Sequence, residues 1–155
     1  MKLNEDFIER ISEHISTVFG IGYTAYAPGT MGSLFGLLFY MFIKDLPLSV
    51  YISIIIVLFV VGVLSSDVME DIYDIKDPSF VVIDEVVGML ISMIAIPYSP
   101  TAAILGFLLF RIVDISKIPP LNFLERFPGG FGIMIDDAVG GLMVNIILQV
   151  LYKWI

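Results

Sequence analysis

Long uncharged runs, separated by short segments that carry the charges and most of the turn residues, organise this chain. Leu46 to Ser66 contains no charged residue and matches the roughly 20 residues that a membrane-spanning helix requires. Met31 to Ile43 is a second apolar run, with Thr30 or Ser33 available as its N-cap; Lys44-Asp45 stops it and Pro47 opens the next element. Val86 to Phe110 is uncharged as well, but Pro97-Tyr98-Ser99-Pro100 interrupts it, since two prolines so close cannot continue one helix. The pattern therefore predicts two short antiparallel helices, about 81–96 and 101–117, each near 24 Å at roughly 1.5 Å per residue and slightly short of the hydrocarbon core. Asn122 to Gly132, with Pro128-Gly129-Gly130, reads as a loop, and Ala138 to Tyr152 as the last helix. Ahead of all these, Leu3, Phe7, Ile8, Ile11, Ile15 and Val18 recur at helical spacing, with Glu5, Asp6, Glu9, Arg10 and Glu13 between them. That first stretch reads as an amphipathic helix lying on the membrane or capping the bundle, too charged to cross.

The expected fold is thus all-α: an integral membrane bundle of about four to five short helices behind an N-terminal amphipathic helix. Residues 1–20 form that helix and 21–155 a single membrane domain, since no linker, low-complexity tract or repeat divides the chain. Composition agrees, with 58% hydrophobic and 15% charged residues, where a soluble domain carries roughly a quarter charged. A formal charge of −8 excludes a nucleic-acid partner, which selects a basic surface. Without cysteine there is no disulfide, thiolate metal site or cysteine nucleophile. The acidic N-terminus lacks the basic-then-apolar order of a signal peptide.

Threading the apolar elements in order carries 31–43 away from one membrane face, 46–66 back, 81–96 away, 101–117 back and 138–152 away. One face then receives Thr30, Asp67, Asp84, Glu85, Arg111, Asp114, Lys117, Asp136 and Asp137. The basic residues Lys2, Arg10, Lys76, Arg111, Lys117 and Arg126 share that face, against Lys44 and Lys153 opposite, which makes it cytoplasmic by the positive-inside rule.

Asp84-Glu85 and Asp136-Asp137 each start a predicted helix, where favourable interaction with the positive helix end is a sufficient structural explanation for either pair alone. Convergence of both pairs with Asp114 on one point needs more, because clustered carboxylates repel unless a cation neutralises them, and oxygen-only ligands suit Mg²⁺. Arg111 and Asp114 project from one helix face; the arginine either snorkels beside Asp114 or clamps a phosphate through its forked donors. Lys117, a turn further on, adds a second positive charge or a headgroup contact. Gly29, Thr30 and Ser33, in Pro-Gly-Thr-Met-Gly-Ser before a helix N-terminus, suit anion binding by backbone N–H groups, or form an ordinary capped turn. His14, the only histidine, lies outside the motifs and reads as a surface residue, which rules out the multi-histidine lipid phosphatases that form a phosphohistidine, and no Asp-X-Asp phosphatase loop occurs. Attack by a metal-activated water remains, with Mg²⁺ bridging phosphate oxygens.

The ordered motifs Ala-Pro-Gly-Thr-Met-Gly-Ser (27–33), Asp-Pro-Ser-Phe-Val-Val-Ile-Asp-Glu-Val-Val-Gly-Met (77–89), Phe-Arg-Ile-Val-Asp (110–114) and Gly-Gly-Phe-Gly-Ile-Met-Ile-Asp-Asp (129–137) resemble those of phosphatidylglycerophosphatase A. The resemblance covers roughly residues 20–145. It implies a Mg²⁺-dependent phosphatase of the bacterial inner membrane, multi-pass, with its active site on the cytoplasmic face, converting phosphatidylglycerophosphate to phosphatidylglycerol and phosphate. At matching positions it nominates Thr30, Asp84, Glu85, Arg111, Asp114, Asp136 and Asp137; of these, Asp84, Glu85, Asp136 and Asp137 are the expected metal ligands, because their helix starts converge and carboxylate oxygens match Mg²⁺. The expected partners are a phospholipid substrate and the membrane, with no obligate protein partner. Two other classes stay open on the residues: a CDP-alcohol phosphotransferase-like enzyme, whose Asp-Gly-X-X-Ala-Arg signature is missing here, and a non-catalytic cation-binding membrane protein, which would place acids near the bilayer midplane.

Overall fold

The computed structural model describes residues 2–152, with side chains from Asp6 onward. Lys153, and the side chains of Lys2, Leu3 and Glu5, used above in the charge and periodicity arguments, lie outside the described residues. Among the described residues the chain is all-helical, with no strand: α1 Lys2–Ser16, a 3-10 turn Ile21–Tyr23, α2 Pro28–Ile43, α3 Leu48–Tyr73, α4 Ile83–Ser92, α5 Pro100–Ser116, α6 Leu121–Leu124 and α7 Gly129–Tyr152.

α3 and α7 are long and apolar enough to cross a membrane. The most apolar stretch of α3 is only 22% buried within the protein, which separates it from the core helix of a water-soluble fold. Its exposed Ile56, Val57, Val60 and Leu64 join Leu38 and Phe42 of α2, Ile104, Leu108 and Ile112 of α5, and Ile146 and Val150 of α7 in an apolar belt. A belt of that extent has no place in water and marks the hydrocarbon contact.

α4 is the axis of the bundle, packed against α2, α3, α5 and α7. Only Glu85 and Ile91 of its ten residues are not fully buried. Gly88 and Gly141 let α4 and α7 approach so closely that a side chain on Gly141 would meet the Gly88 carbonyl, so the interface is made by backbone rather than by side-chain interdigitation. α4 is also shorter than its apolar run predicts, ending at Ser92 instead of near residue 96, with Ala95 in the left-handed region at φ 54°. A helix of roughly 15 Å stops inside the protein, where its last carbonyls have no water to accept from. Neighbouring side chains supply the donors: Tyr51 Oη to Leu90 O at 2.7 Å, Asn145 Nδ2 to Ser92 O at 3.0 Å and Ile94 O at 2.8 Å, and Tyr40 Oη to Ile96 O at 3.3 Å.

Three further boundaries differ from the expectation. α2 begins at Pro28, with Ala27 as an uncapped left-handed N-cap, so Thr30 and Ser33 lie inside the helix and neither caps it. α3 continues through Asp67, Glu70 and Asp71 to Tyr73, carrying the first acidic residues on a helical extension beyond the apolar segment. α7 begins at Gly129 rather than Ala138, because Asp67 of α3 accepts a hydrogen bond from Gly130 N at 3.1 Å and thereby caps α7 from a different helix. The expectation that Asp136 and Asp137 start a helix is therefore corrected: they sit about two turns inside α7, buried, where the helix-end explanation does not apply.

α1 packs on α3 through its small residues, with Ser12 and Ser16 buried. Phe7, Ile8 and Ile11 stay exposed beside that contact, and Glu9 and Arg10 occupy the outer face. The helix thus both docks on the bundle and keeps an apolar arc free for the membrane interface.

Candidate active site

Four segments meet at one end of the bundle: the first turns of α2, the first turn of α4, the last turn of α5 and the third turn of α7. Asp84 and Glu85 are placed by the start of α4, and Asp137 by α7 against it. One carboxylate oxygen from each of these three residues lies within 4.8 Å of the other two. Asp84 and Asp137 are buried and Glu85 nearly so. Asp84 Oδ1, Glu85 Oε2 and Asp137 Oδ2 are also buried with no hydrogen-bond partner. Buried carboxylate oxygens without donors cost several kcal/mol of lost solvation, so their coincidence in one trio makes it a candidate cation site.

Arg111 borders the trio. Its Nη1 donates to Asp114 Oδ2 at 2.5 Å and to Ser33 Oγ at 3.2 Å, and stands 3.8 Å from Glu85 Oε1. Its Nε is buried and has no partner, so the guanidinium is oriented by Asp114 and Ser33 while keeping a donor in reserve. Ser33 Oγ itself donates to Gly29 O at 2.9 Å. Gly29 is required by contact rather than by backbone angle: a side chain there would run into the Glu85 carboxylate beside Arg111 Nη1.

Asp136 points elsewhere. It pairs with Lys117 Nζ, which also lies 3.6 Å from Asp114 Oδ1 and 3.8 Å from Glu125 Oε2. Burial pulls the Lys117 ammonium down, but Asp136, Asp137 and Asp114 more than reverse this and leave it raised, hence protonated. Asp114 is the bridge between the two cations. The structure therefore brings Asp84, Glu85 and Asp137 together, places Gly29, Ser33, Arg111 and Asp114 against them, and sets Asp136 with Lys117 in an adjoining ion-pair network. Thr30 is half-buried in the first turn of α2, where its backbone N–H donates to Ala27 O at 2.9 Å; its side chain makes no hydrogen bond among the described residues.

Asp77 lies near enough to this network for the charges of Lys117, Asp114 and Glu125 to act on it. Burial raises its carboxyl, Lys117 pulls it down, and Asp114, Glu125 and Glu70 push it up again. Its φ of 50° is a left-handed turn that aspartate tolerates, and Pro78 follows. The signal available in the sequence was the Asp-Pro-Ser-Phe that opens the second motif.

Fold and site together define a helical membrane protein with a cluster of buried acids bordered by an arginine at one end of its bundle. The family model described as Phosphatidylglycerophosphatase A matches residues 14–152, and the chain belongs to that family of phosphatases. It is 35% identical over 127 residues to Phosphatidylglycerophosphatase A of Escherichia coli K12, covering 81% of this chain and 74% of that protein. Its likeness to the Haemophilus influenzae protein of the same name is 33% over 139 residues, 88% of this chain and 85% of the relative. A Bacteroides thetaiotaomicron protein provisionally named phosphatidylinositol-3-phosphatase is 34% identical over 149 residues, 91% of this chain and 92% of its own length. No solved structure matches the chain at a significant level.

Proposed function

We propose that this protein hydrolyses the terminal phosphomonoester of phosphatidylglycerophosphate, releasing phosphatidylglycerol and phosphate, at the cytoplasmic face of a bacterial inner membrane that it crosses several times. The observation that carries the reading is the trio of unpartnered carboxylate oxygens beside an arginine with a donor in reserve. Asp84, Glu85 and Asp137 are the residues that would hold Mg²⁺; an acid-only donor set of this kind suits a hard cation. When bound there, Mg²⁺ supplies charge neutralisation for phosphoryl oxygens and makes water a stronger acid.

The chain's own groups do the rest. Arg111 offers forked donors to the phosphoryl oxygens, held in orientation by Asp114 and Ser33. Gly29 lets the first turn of α2 lie against Glu85, so that the phosphate can approach the arginine and the acid trio at once. Lys117 and Arg111 together offset Asp136 and Asp114, which leaves the charge of the trio for the cation to offset before a dianionic substrate approaches. The cytoplasmic placement rests on the excess of basic residues on the site's side of the chain.

The Bacteroides relative favours a second reading of the headgroup, in which a phosphorylated inositol lipid is the substrate. Both readings share a phosphomonoester on a lipid headgroup. Phosphate release by the purified protein with Mg²⁺ separates them, using phosphatidylglycerophosphate and phosphatidylinositol 3-phosphate in parallel. Preference for the first supports the proposal, preference for the second replaces it, and release from neither sinks both.

A further inference from the structure

Between α2 and α3, under the end of α1, lies a cavity of about 280 Å³ whose lining includes none of the acid trio nor Arg111. Phe35 and Phe39 of α2, Leu58 and Val61 of α3, and Ile83 and Val86 of α4 line it, and its walls carry no polar surface. Water needs two to four polar partners to settle in such a space and finds none, while a dry apolar cavity of about 150 Å³ already takes up benzene. This one is larger, and it is continuous with the lipid-facing belt through the exposed neighbours of its walls, Leu38 on α2 and Val57 and Val60 on α3.

The chain leaving α1 is shaped around its mouth. Val18, Phe19 and Gly20 have φ of 50°, 56° and 90°, three successive left-handed residues of which the first is β-branched. The turn is held by Phe19 N donating to His14 O at 2.7 Å and Gly20 N to Thr17 Oγ1 at 3.0 Å. It leaves the Phe19 ring lining the cavity while 82% exposed, a position that hydrocarbon can cover and the protein does not.

We infer that this crevice holds one acyl chain of a resident bilayer phospholipid, distinct from the substrate. Ile83 and Val86 form its floor from the same helical turn that presents Asp84 and Glu85 to the site, and Phe35 and Phe39 project from the helix whose first turns carry Gly29 and Ser33. The chain therefore fills the back of the wall against which the acid trio and the arginine are set. The occupant is hydrocarbon because the lining offers nothing to a headgroup, and it comes from the bilayer because the crevice opens into the lipid belt.

The test measures thermal unfolding of the full chain in detergent, titrated with dioleoylphosphatidylcholine and, separately, with glycerophosphocholine, which has the headgroup and no chains. The diacyl lipid should raise the wild-type Tm by roughly 5 °C or more near saturation, and the headgroup alone should leave it unchanged. Val61→Phe, which fills the crevice from an apolar position, should unfold higher without lipid and gain less than half the wild-type increment; Leu58→Phe is the second variant if Val61→Phe does not fold. An increment as large in the filled variant as in wild type overturns the inference. So does a selective loss of kcat/KM for long-chain over short-chain phosphatidylglycerophosphate in the filled variant, which would make the occupant the substrate's own tail. The Tm arm is independent of the phosphatase reading and stands or falls without it.

Discussion

Arg111→Lys isolates the geometry of the phosphate clamp from its charge. In the wild type one guanidinium nitrogen is committed to Asp114 at 2.5 Å and Ser33 at 3.2 Å, and the buried Nε is left free. Lysine keeps the positive charge and can still pair with Asp114, so the neighbouring acid is not left bare and the fold should survive. It has a single nitrogen, however, and cannot serve Asp114 and a phosphoryl oxygen with separate, coplanar donors. Losing one oriented donor to the transition state costs about 2–4 kcal/mol, or roughly 30- to 1000-fold in kcat/KM. The assay is kcat/KM on detergent-solubilised phosphatidylglycerophosphate across a Mg²⁺ titration, with Tm as the folding control. Wild-type kinetics in Arg111→Lys at every Mg²⁺ concentration would refute the clamp and reduce Arg111 to a snorkelling partner of Asp114.

Asp84→Asn removes a charge from an unneutralised buried trio, so Tm should hold or rise while phosphate release falls to background; retained turnover, or full wild-type activity in excess chelator, would count against the cation site. Tyr51→Phe deletes one of two donors to Leu90 O, which keeps the bond from Met93 N at 3.2 Å, so the loss of about 0.5–1.5 kcal/mol should lower Tm by roughly 1–6 °C, read by thermal unfolding in detergent. An unchanged Tm would mean that the Tyr51 bond adds nothing to stability. Single cysteines introduced at Lys76 and Ser99 should label from opposite sides of the membrane, and labelling of both from one side would sink the threading proposed for α3, α4 and α5.

The uncharged runs revealed the helices because hydropathy is a local property, and Leu46–Ser66 needs no partner to be recognised. Helix ends were another matter. Pro128-Gly129-Gly130 has the composition of a loop, yet Gly130 is needed inside α7 because the Val63 carbonyl and Asp67 N of α3 lie against it. The cap for that helix lies 63 residues earlier in the chain, beyond the reach of any window. The early end of α4 likewise depends on Tyr51 and Asn145, which look in sequence like incidental polar groups on apolar helices. At the site, motif residues on α2, α4, α5 and α7 did come together, with Ser33 on Arg111 and Asp84, Glu85 and Asp137 in one trio. What spacing did not reveal was the division of labour between the adjacent aspartates: at about 100° per residue, Asp137 turns toward the trio and Asp136 toward Lys117.

The dependence of α4 on α7 also bears on how the protein is made. A ten-residue helix is too short to be retained in a bilayer by its own hydropathy, and its terminal carbonyls cannot be left in hydrocarbon. Asn145, which donates to two of the carbonyls at that end, belongs to α7, which emerges after α4 during synthesis. The central helix, with two of the three acids of the trio, therefore completes its seating only once α7 is in place. A nascent chain that has not yet made α7 lacks Asp137, so the acid trio is completed only after that helix is added.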